Sequence, residues 1–393
     1  MAPEEYKLRT DIKLKPISIG LLMVITSLLS IFITYTYARS ITLLYGGIEI
    51  ALALICYFFI FKDLKAPDHW ITIITASLMV IALINGIIYG DLKSVLLLSI
   101  SIVLPLAISV MPIQQNDGNE QFKWGFLAGL ALILLQSASL FFGEINSNTF
   151  GFYCYMAVSI GFVWYKQAKN RVIPLLLIAV GAYLSAMTGS RNVAIVILLM
   201  LIILLLPDGF WKKKTVFRTI YILALFYTIF AADIMEWIFE QEKLSAFISK
   251  YTTSVSDKQW GMDTRIYFFK EIEYKISRMG WYNKLFGEGI LNHHGHNMFY
   301  QAVFIYGYLG TALIYAMYIR IFEMAYKLIK KNNDKIVIGI FVALIGVFLL
   351  NGADLFLIGS ETCAIIPQVL MGIIMLRYRN MMKKESHTTM VEV

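Results

Sequence analysis

Charge is scarce in this chain of 393 residues: Asp, Glu, Lys and Arg make up 15% of it, while 59% is hydrophobic. So few charges cannot clothe a soluble domain of that length, which excludes a water-soluble globule and indicates a polytopic membrane protein. Cysteine is nearly missing too, and Cys56, Cys154 and Cys363 each sit inside an apolar run. A disulfide framework and a Cys-x-x-Cys metal site are thereby excluded, which leaves the three thiols as packing residues. There is no low-complexity tract, no GxxxxGK[ST] phosphate loop and no internal repeat of the kind many transporters carry. A cleavable signal peptide is not expected, since the first apolar run is too long for one and meets Arg39 without a small-residue cleavage site.

What the chain has in abundance is apolar runs of about 15 to 23 residues, a length that crosses hydrocarbon as a helix. Twelve stand out: 17–38, 41–61, 70–89, 94–111, 125–142, 150–165, 172–187, 192–206, 219–239, 298–319, 336–351 and 355–376. The expected fold is an all-α integral membrane protein of about twelve spans. Residues 1–239 would hold the first nine and 298–393 the last three with a cytoplasmic tail, joined by one long external segment, 240–297, into a single membrane domain. Lysine and arginine placement orients it. With the N-terminus cytoplasmic, 23 of the 34 basic residues fall on inside segments, eight in the 240–297 segment, and only Arg39, Lys93 and Arg191 in short outside turns. That bias puts both termini inside. It also accounts for the net charge of +8, which reads as membrane orientation and not as a nucleic-acid surface.

Between Val172 and Pro207 the only charged residue is Arg191, in Thr188-Gly189-Ser190-Arg191 at the tip of a helical hairpin. Each arm would rise only about 24 Å against about 30 Å of hydrocarbon, so the tip is expected below the membrane surface with Arg191 lining a recess. Ser190 is expected to cap the second arm. The free amides of that helix and the guanidinium would then converge on one place suited to phosphate oxygens. The alternative is an interfacial arginine that snorkels to water.

The 240–297 segment is too long for an idle connection, so function on the outer face is expected there. Asp263 is placed to cap a helix opening Thr264-Arg265, in which Phe269, Ile272, Ile276 and Met279 recur at helical spacing among charged residues. This is an amphipathic helix, lying on the bilayer or on the bundle, with Arg265 in its first turn as a binding residue or a solvated charge. Then follow Leu285-Phe286-Gly287-Glu288-Gly289, His293-His294-Gly295-His296-Asn297 and, in the next span, Gly307 and Gly310. The histidines admit three readings: a zinc site completed by Glu288, a structural cap by His296 and Asn297, or catalysis by an imidazole poised to take a proton near neutral pH. Trp260, Tyr267, Trp281 and Tyr282 either stack on sugars or anchor the segment at the interface.

The hairpin tip, Thr264-Arg265, Leu285-Phe286-Gly287-Glu288-Gly289 and His296-Asn297 ahead of Gly307 and Gly310, taken in this order, resemble the bacterial O-antigen ligase and O-antigen polymerase superfamily over roughly residues 170–320. The resemblance implies a metal-independent, cofactor-free glycosyltransferase of the inner membrane. It would work on the periplasmic or outer face with an undecaprenyl-diphosphate-linked glycan as donor. Arg191 and Arg265, with Ser190, would hold the diphosphate, and His296 would assist attack by the acceptor hydroxyl with inversion at the anomeric carbon. The acceptor would be lipid A-core for a ligase and another carrier-linked repeat for a polymerase; one large outer loop suits the ligase. The chain departs from the family pattern at Asn192, where a small residue usually follows the arginine, and in its extra His293 and His294, which makes His294 the alternative base. A reading of another class, a flippase or transporter, rests on the intramembrane acids Glu49, Asp354 and Glu361.

The charge bias has a direct test. Single cysteines placed at Ser256 and Ser386 in a cysteine-free background should differ, with an impermeant maleimide added from outside labelling the first and not the second. The reverse pattern would put 240–297 in the cytoplasm.

Overall fold

A computed structural model describes residues 17–38, 55, 68–90, 102–114, 120–141, 147–187, 190–241, 262–289, 297–352 and 365–391. Nearly all of them are helical. In chain order the helices are α1 (Ile19–Ala38), α2 (His69–Tyr89), α3 (102–110), α4 (Lys123–Phe141), α5 (Ser147–Gln167), α6 (Val172–Met187) and α7 (Arg191–Leu204). They continue with α8 (Asp208–Trp211), α9 (Lys214–Glu240), α10 (Met262–Arg278), α11 (Trp281–Phe286), α12 (Met298–Asn332), α13 (Lys335–Asn351) and α14 (Ile365–Val391). One feature departs from an all-α reading: Ile17–Ser18 pairs in parallel with Ile113–Gln114, a two-residue sheet that ties the start of α1 to the chain beyond α3.

Among the described residues α2, α9 and α12 are long and apolar enough to cross a membrane, and α1, α4, α6, α7 and α13 contribute shorter apolar stretches. The run 41–61 lies almost wholly outside the described residues, as do parts of 94–111 and 355–376. Local chemistry sets the ends of α2. Asp68 accepts hydrogen bonds from the amides of Trp70 and Ile71 at its start, and Gly90 closes it in the left-handed conformation (φ 69°).

Helix α13 is apolar on every side and is accordingly buried almost throughout, from Ile336 to Phe348, among α5, α7, α9, α12 and α14. It forms the axis of the bundle. On the periphery Ile73, Val80, Ile195, Ile202, Leu223 and Phe226 stand uncovered, an outward apolar surface that suits acyl chains and not water.

Polar contacts sort to the two ends of the bundle. At one end stand ion pairs: Arg320 with Asp68 and Arg377 with Asp334, both 2.6 Å, Arg218 with Glu323 at 2.8 Å, and Lys166 with Asp208 at 3.2 Å. Burial holds the Lys166 ammonium below its ordinary range against the pull of Asp208, and Arg171 and Lys335 nearby add to the depression. At the other end, the Lys270–Glu236 pair apart, the links are made by amides and carbonyls, and they centre on a break in α12.

That break is Gly307 (φ 68°, ψ −179°). The segment Leu285–Gly289 lies against it backbone to backbone. A Cβ on Gly307 would stand 2.2 Å from the Leu285 carbonyl oxygen, and one on Gly287 (φ 81°) would stand 2.1 Å from that of Ile305. The Glu288 amide donates to the Phe304 carbonyl at 2.8 Å and the Gly289 amide to that of Ile305 at 3.0 Å. From α2, Asn85 Nδ2 donates to the Phe286 carbonyl at 2.7 Å and, more weakly, to that of Ile305 at 3.5 Å. Carbonyls that an unbroken helix would bond to the amides four residues on are thus met from outside the helix.

Alanine at Gly307 should therefore be costly. Left-handed backbone strain of roughly 1–2 kcal/mol adds to a collision with backbone that cannot turn aside, so Gly307→Ala should lower stability by at least about 2 kcal/mol and depress the melting temperature in detergent. Gly209→Ala in α8, where an added Cβ meets nothing within 4 Å, should leave it unchanged or slightly raised. Equal melting of the two variants would show that the break is not required.

Candidate functional site

The hairpin tip belongs to the end of the bundle opposite the ion pairs. Helix α5 finishes at that charged end with Lys166, so its start, with Gly151, lies at the other, and Gly151 packs on Ser190. The arms α6 and α7 have 16 and 14 residues, which gives them lengths of about 24 and 21 Å. Ser190 occupies the N-cap position of α7 as expected, but it does not cap: its side chain makes no bond to the helix amides. Its backbone (φ −80°, ψ 59°) is not the extended form that capping uses, and it is buried against α5, where a Cβ on Gly151 would stand 2.2 Å from Ser190 Cβ and 2.3 Å from its Oγ. Ser190 thus packs on α5, and its expected contact with a phosphate rests on the sequence alone. Arg191 is the first residue of α7; the contacts expected of its guanidinium lie outside the described residues.

Helix α10 is amphipathic and lies on the bundle, the second of the two expected placements. Phe269, Ile272, Ile276 and Met279 are buried, and Ile272, Ile276 and Met279 pack with Val303, Phe304, Phe299 and Tyr300 on the first turns of α12. Its polar side is tied to α9 by an ion pair between Lys270 and Glu236, a carboxylate whose hydrogen bond raises the Lys270 ammonium above its ordinary value. The described helix already includes Met262, so Asp263 stands in its first turn and not ahead of it. Arg265 shares that turn, and its side chain also lies outside the described residues.

Asn297 makes four hydrogen bonds. It caps α12 as expected, its Oδ1 accepting from the amides of Phe299 (2.8 Å) and Tyr300 (3.1 Å). Its Nδ2 donates to the carbonyls of Thr228 on α9 and Gly352 beyond α13, both at 3.0 Å. One fully buried amide therefore joins three elements, with its oxygen and nitrogen each engaged twice. His296, which precedes it, and His293 and His294 lie outside the described residues, so the three readings of the histidines stand as they were. Among the described residues no group of three or more His, Cys, Asp or Glu is placed to hold a metal ion.

Of the aromatic candidates, Tyr267 and Trp281 are 64% and 78% exposed, open to a sugar or to lipid headgroups alike, while Trp260 lies outside the described residues. Sequence reasoning missed Asn85 and Tyr89 on α2. Tyr89 Oη donates to Asn283 Oδ1 at 2.8 Å, and Asn283 Nδ2 reaches Glu288 at 3.4 Å, so α2 grips the Leu285–Gly289 region from two successive turns. The available signal was an amide inside an otherwise apolar run. Comparisons with protein-family models, curated proteins and solved structures find no match to the chain.

The docking of α10 separates packing from charge. Ile276→Ala removes a buried side chain worth about 2–5 kcal/mol and should expose residues 262–289 to limited proteolysis in detergent. Lys270→Ala breaks only an exposed ion pair and should leave the cleavage pattern unchanged. Cleavage that follows the Lys270 variant instead would mean that charge holds α10 in place.

Proposed function

We propose that the chain is a membrane glycosyltransferase of about twelve spans, with a bacterial inner-membrane location and an outward-facing site. It moves a glycan from an undecaprenyl diphosphate carrier to an acceptor saccharide, as an O-antigen ligase with lipid A-core as acceptor. The observation that carries the reading is a common end: the start of α7, helix α10 and the Asn297 cap of α12 all belong to the end of the bundle opposite the Lys166–Asp208 and Arg218–Glu323 pairs. Arg191 and Arg265 belong to the first turns of α7 and α10, and His296 is the residue that precedes Asn297 in the chain. A sugar diphosphate already carries a good leaving group, and two guanidiniums supply positive charge where negative charge grows as the anomeric C–O bond breaks. An imidazole then takes the proton of a weakly acidic acceptor hydroxyl.

The polymerase reading shares this site and differs only in its acceptor, another carrier-linked glycan. The transporter reading meets a specific obstacle. Broken helices in transporters leave the carbonyls of the break to coordinate ions, whereas here the carbonyls of Phe304 and Ile305 are engaged by Glu288, Gly289 and Asn85. Its acids Glu49, Asp354 and Glu361 lie outside the described residues.

Purified protein, a polyprenyl diphosphate donor and an acceptor glycan provide the assay. Arg191→Lys should fail nearly as badly as Arg191→Ala, because a point charge cannot reproduce a bidentate fork, while the protein still inserts and accumulates. His296→Ala should lower turnover by roughly 10² to 10⁴ and do more harm than His293→Ala or His294→Ala. Chelators should leave transfer unchanged. Near-normal transfer by Arg265→Ala would remove that residue from the mechanism, and inhibition by a chelator reversed by a divalent ion would restore the zinc reading.

A further inference from the structure

The two points where the chain enters and leaves residues 290–296 are both held on α12. Before that segment, the Gly289 amide is bonded to the Ile305 carbonyl; after it, Asn297 caps the same helix eight residues earlier, about 12 Å away along the axis. The far point is secured by the four hydrogen bonds of Asn297. The near point is secured from α2, by Asn85.

Nothing in the helical or packing requirements of α2 calls for an amide at position 85. Asn85 is fully buried, and among the described residues its Oδ1 has no hydrogen-bond partner. An orphaned buried acceptor destabilises a fold relative to an apolar side chain of similar size. What the amide does provide is its Nδ2, donated to Phe286 and Ile305, the two carbonyls that flank the contact between Leu285–Gly289 and the Gly307 break. The backbone approach there is close, since a Cβ on Gly289 would stand 2.6 Å from Asn85 Cβ. One turn further along α2, the bond from Tyr89 to Asn283 reinforces the same contact.

The geometry points to Asn85 as a positioning residue for glycan transfer. Through the Phe286 and Ile305 carbonyls it fixes Glu288 and Gly289, the last described residues before His293, His294 and His296 in the chain, while Asn297 is held on the same helix. The kinetic half of this inference rests on the transferase reading above; the structural half does not. Asn85 contacts no reacting atom. It acts through the backbone that it holds.

Asn85→Leu in the full-length detergent-purified protein tests both halves. Hydrogen exchange at the Glu288 and Gly289 amides should quicken by about tenfold or more while the α13 amides stay protected, since local anchoring and global stability report separately. For transfer from a polyprenyl diphosphate donor, kcat should fall roughly 10²-fold, as displacement of a catalytic group by about an ångström does. Donor KM should stay within about twofold, because Arg191 and Arg265 sit on other helices; a merely structural lesion would move both constants together. Unchanged exchange, unchanged kcat, or a parallel rise in KM would each overturn the proposal. Should Asn85→Leu fail to fold, Tyr89→Phe, which removes one hydroxyl from the same contact, should give the same pattern at several-fold size, and its absence would count equally against the proposal. If the wild-type protein itself transfers no glycan from such a donor, it is the transferase reading that fails, and exchange at Glu288 and Gly289 still reports on the pinning.

Discussion

Backbone carbonyls at membrane depth must find donors inside the protein, because hydrocarbon offers none. The break at Gly307 turns the carbonyls of Phe304 and Ile305 away from their usual partners, and the amides of Glu288 and Gly289 together with Asn85 Nδ2 supply what the helix does not. Much of this end of the bundle follows from that requirement. The Leu285–Gly289 backbone has to lie within hydrogen-bonding distance of α12, which only glycine at 287 and 307 permits. Helix α11 is thereby set beside α12, α2 is drawn in by Asn85 and Tyr89, and α10 covers Val303 and Phe304 on the neighbouring turns.

The two ends of the bundle are fastened by different chemistry. One relies on guanidinium–carboxylate pairs, two of which, with Asp68 and Asp334, also cap helices: the same carboxylates accept from the first amides of α2 and α13. The other, beside the exposed Lys270–Glu236 pair, relies on neutral amides, Asn85, Asn283 and Asn297, which carry no desolvation penalty of a full charge and tolerate a lower dielectric.

Much of the architecture was legible in the amino-acid pattern. Helix α6 spans Val172–Met187 as read, because an unbroken apolar run bounded by Arg171 and Thr188 leaves little choice. The amphipathic period of α10 and the Asn297 cap are local signals, and local signals survive folding. Ser190 shows where local grammar fails: a serine ahead of a helix is a capping signal, yet contact with Gly151 takes the side chain elsewhere. Asn85 shows the other limit. Its partner Phe286 is 201 residues away, and no periodicity or spacing connects them. The small parallel pairing of Ile17–Ser18 escaped notice for the same reason. For the guanidiniums of Arg191 and Arg265 and for the three histidines, chain order and family resemblance remain the grounds of assignment.

The separation of Asn85 from its partner also has a meaning in time. Chains are made at roughly 5–20 residues per second, so the 201 residues between Asn85 and Phe286 take roughly 10–40 s to follow. Through that interval α2 holds a bare amide in or beside the bilayer with no partner yet synthesised. A polar side chain of that kind weakens spontaneous partition into lipid and lets a nascent helix slip back toward water. Until the second half of the chain arrives, α2 therefore depends on neighbours already made, or on the insertion machinery, to stay in the membrane, and the step that brings Leu285–Gly289 onto α12 also ends that dependence.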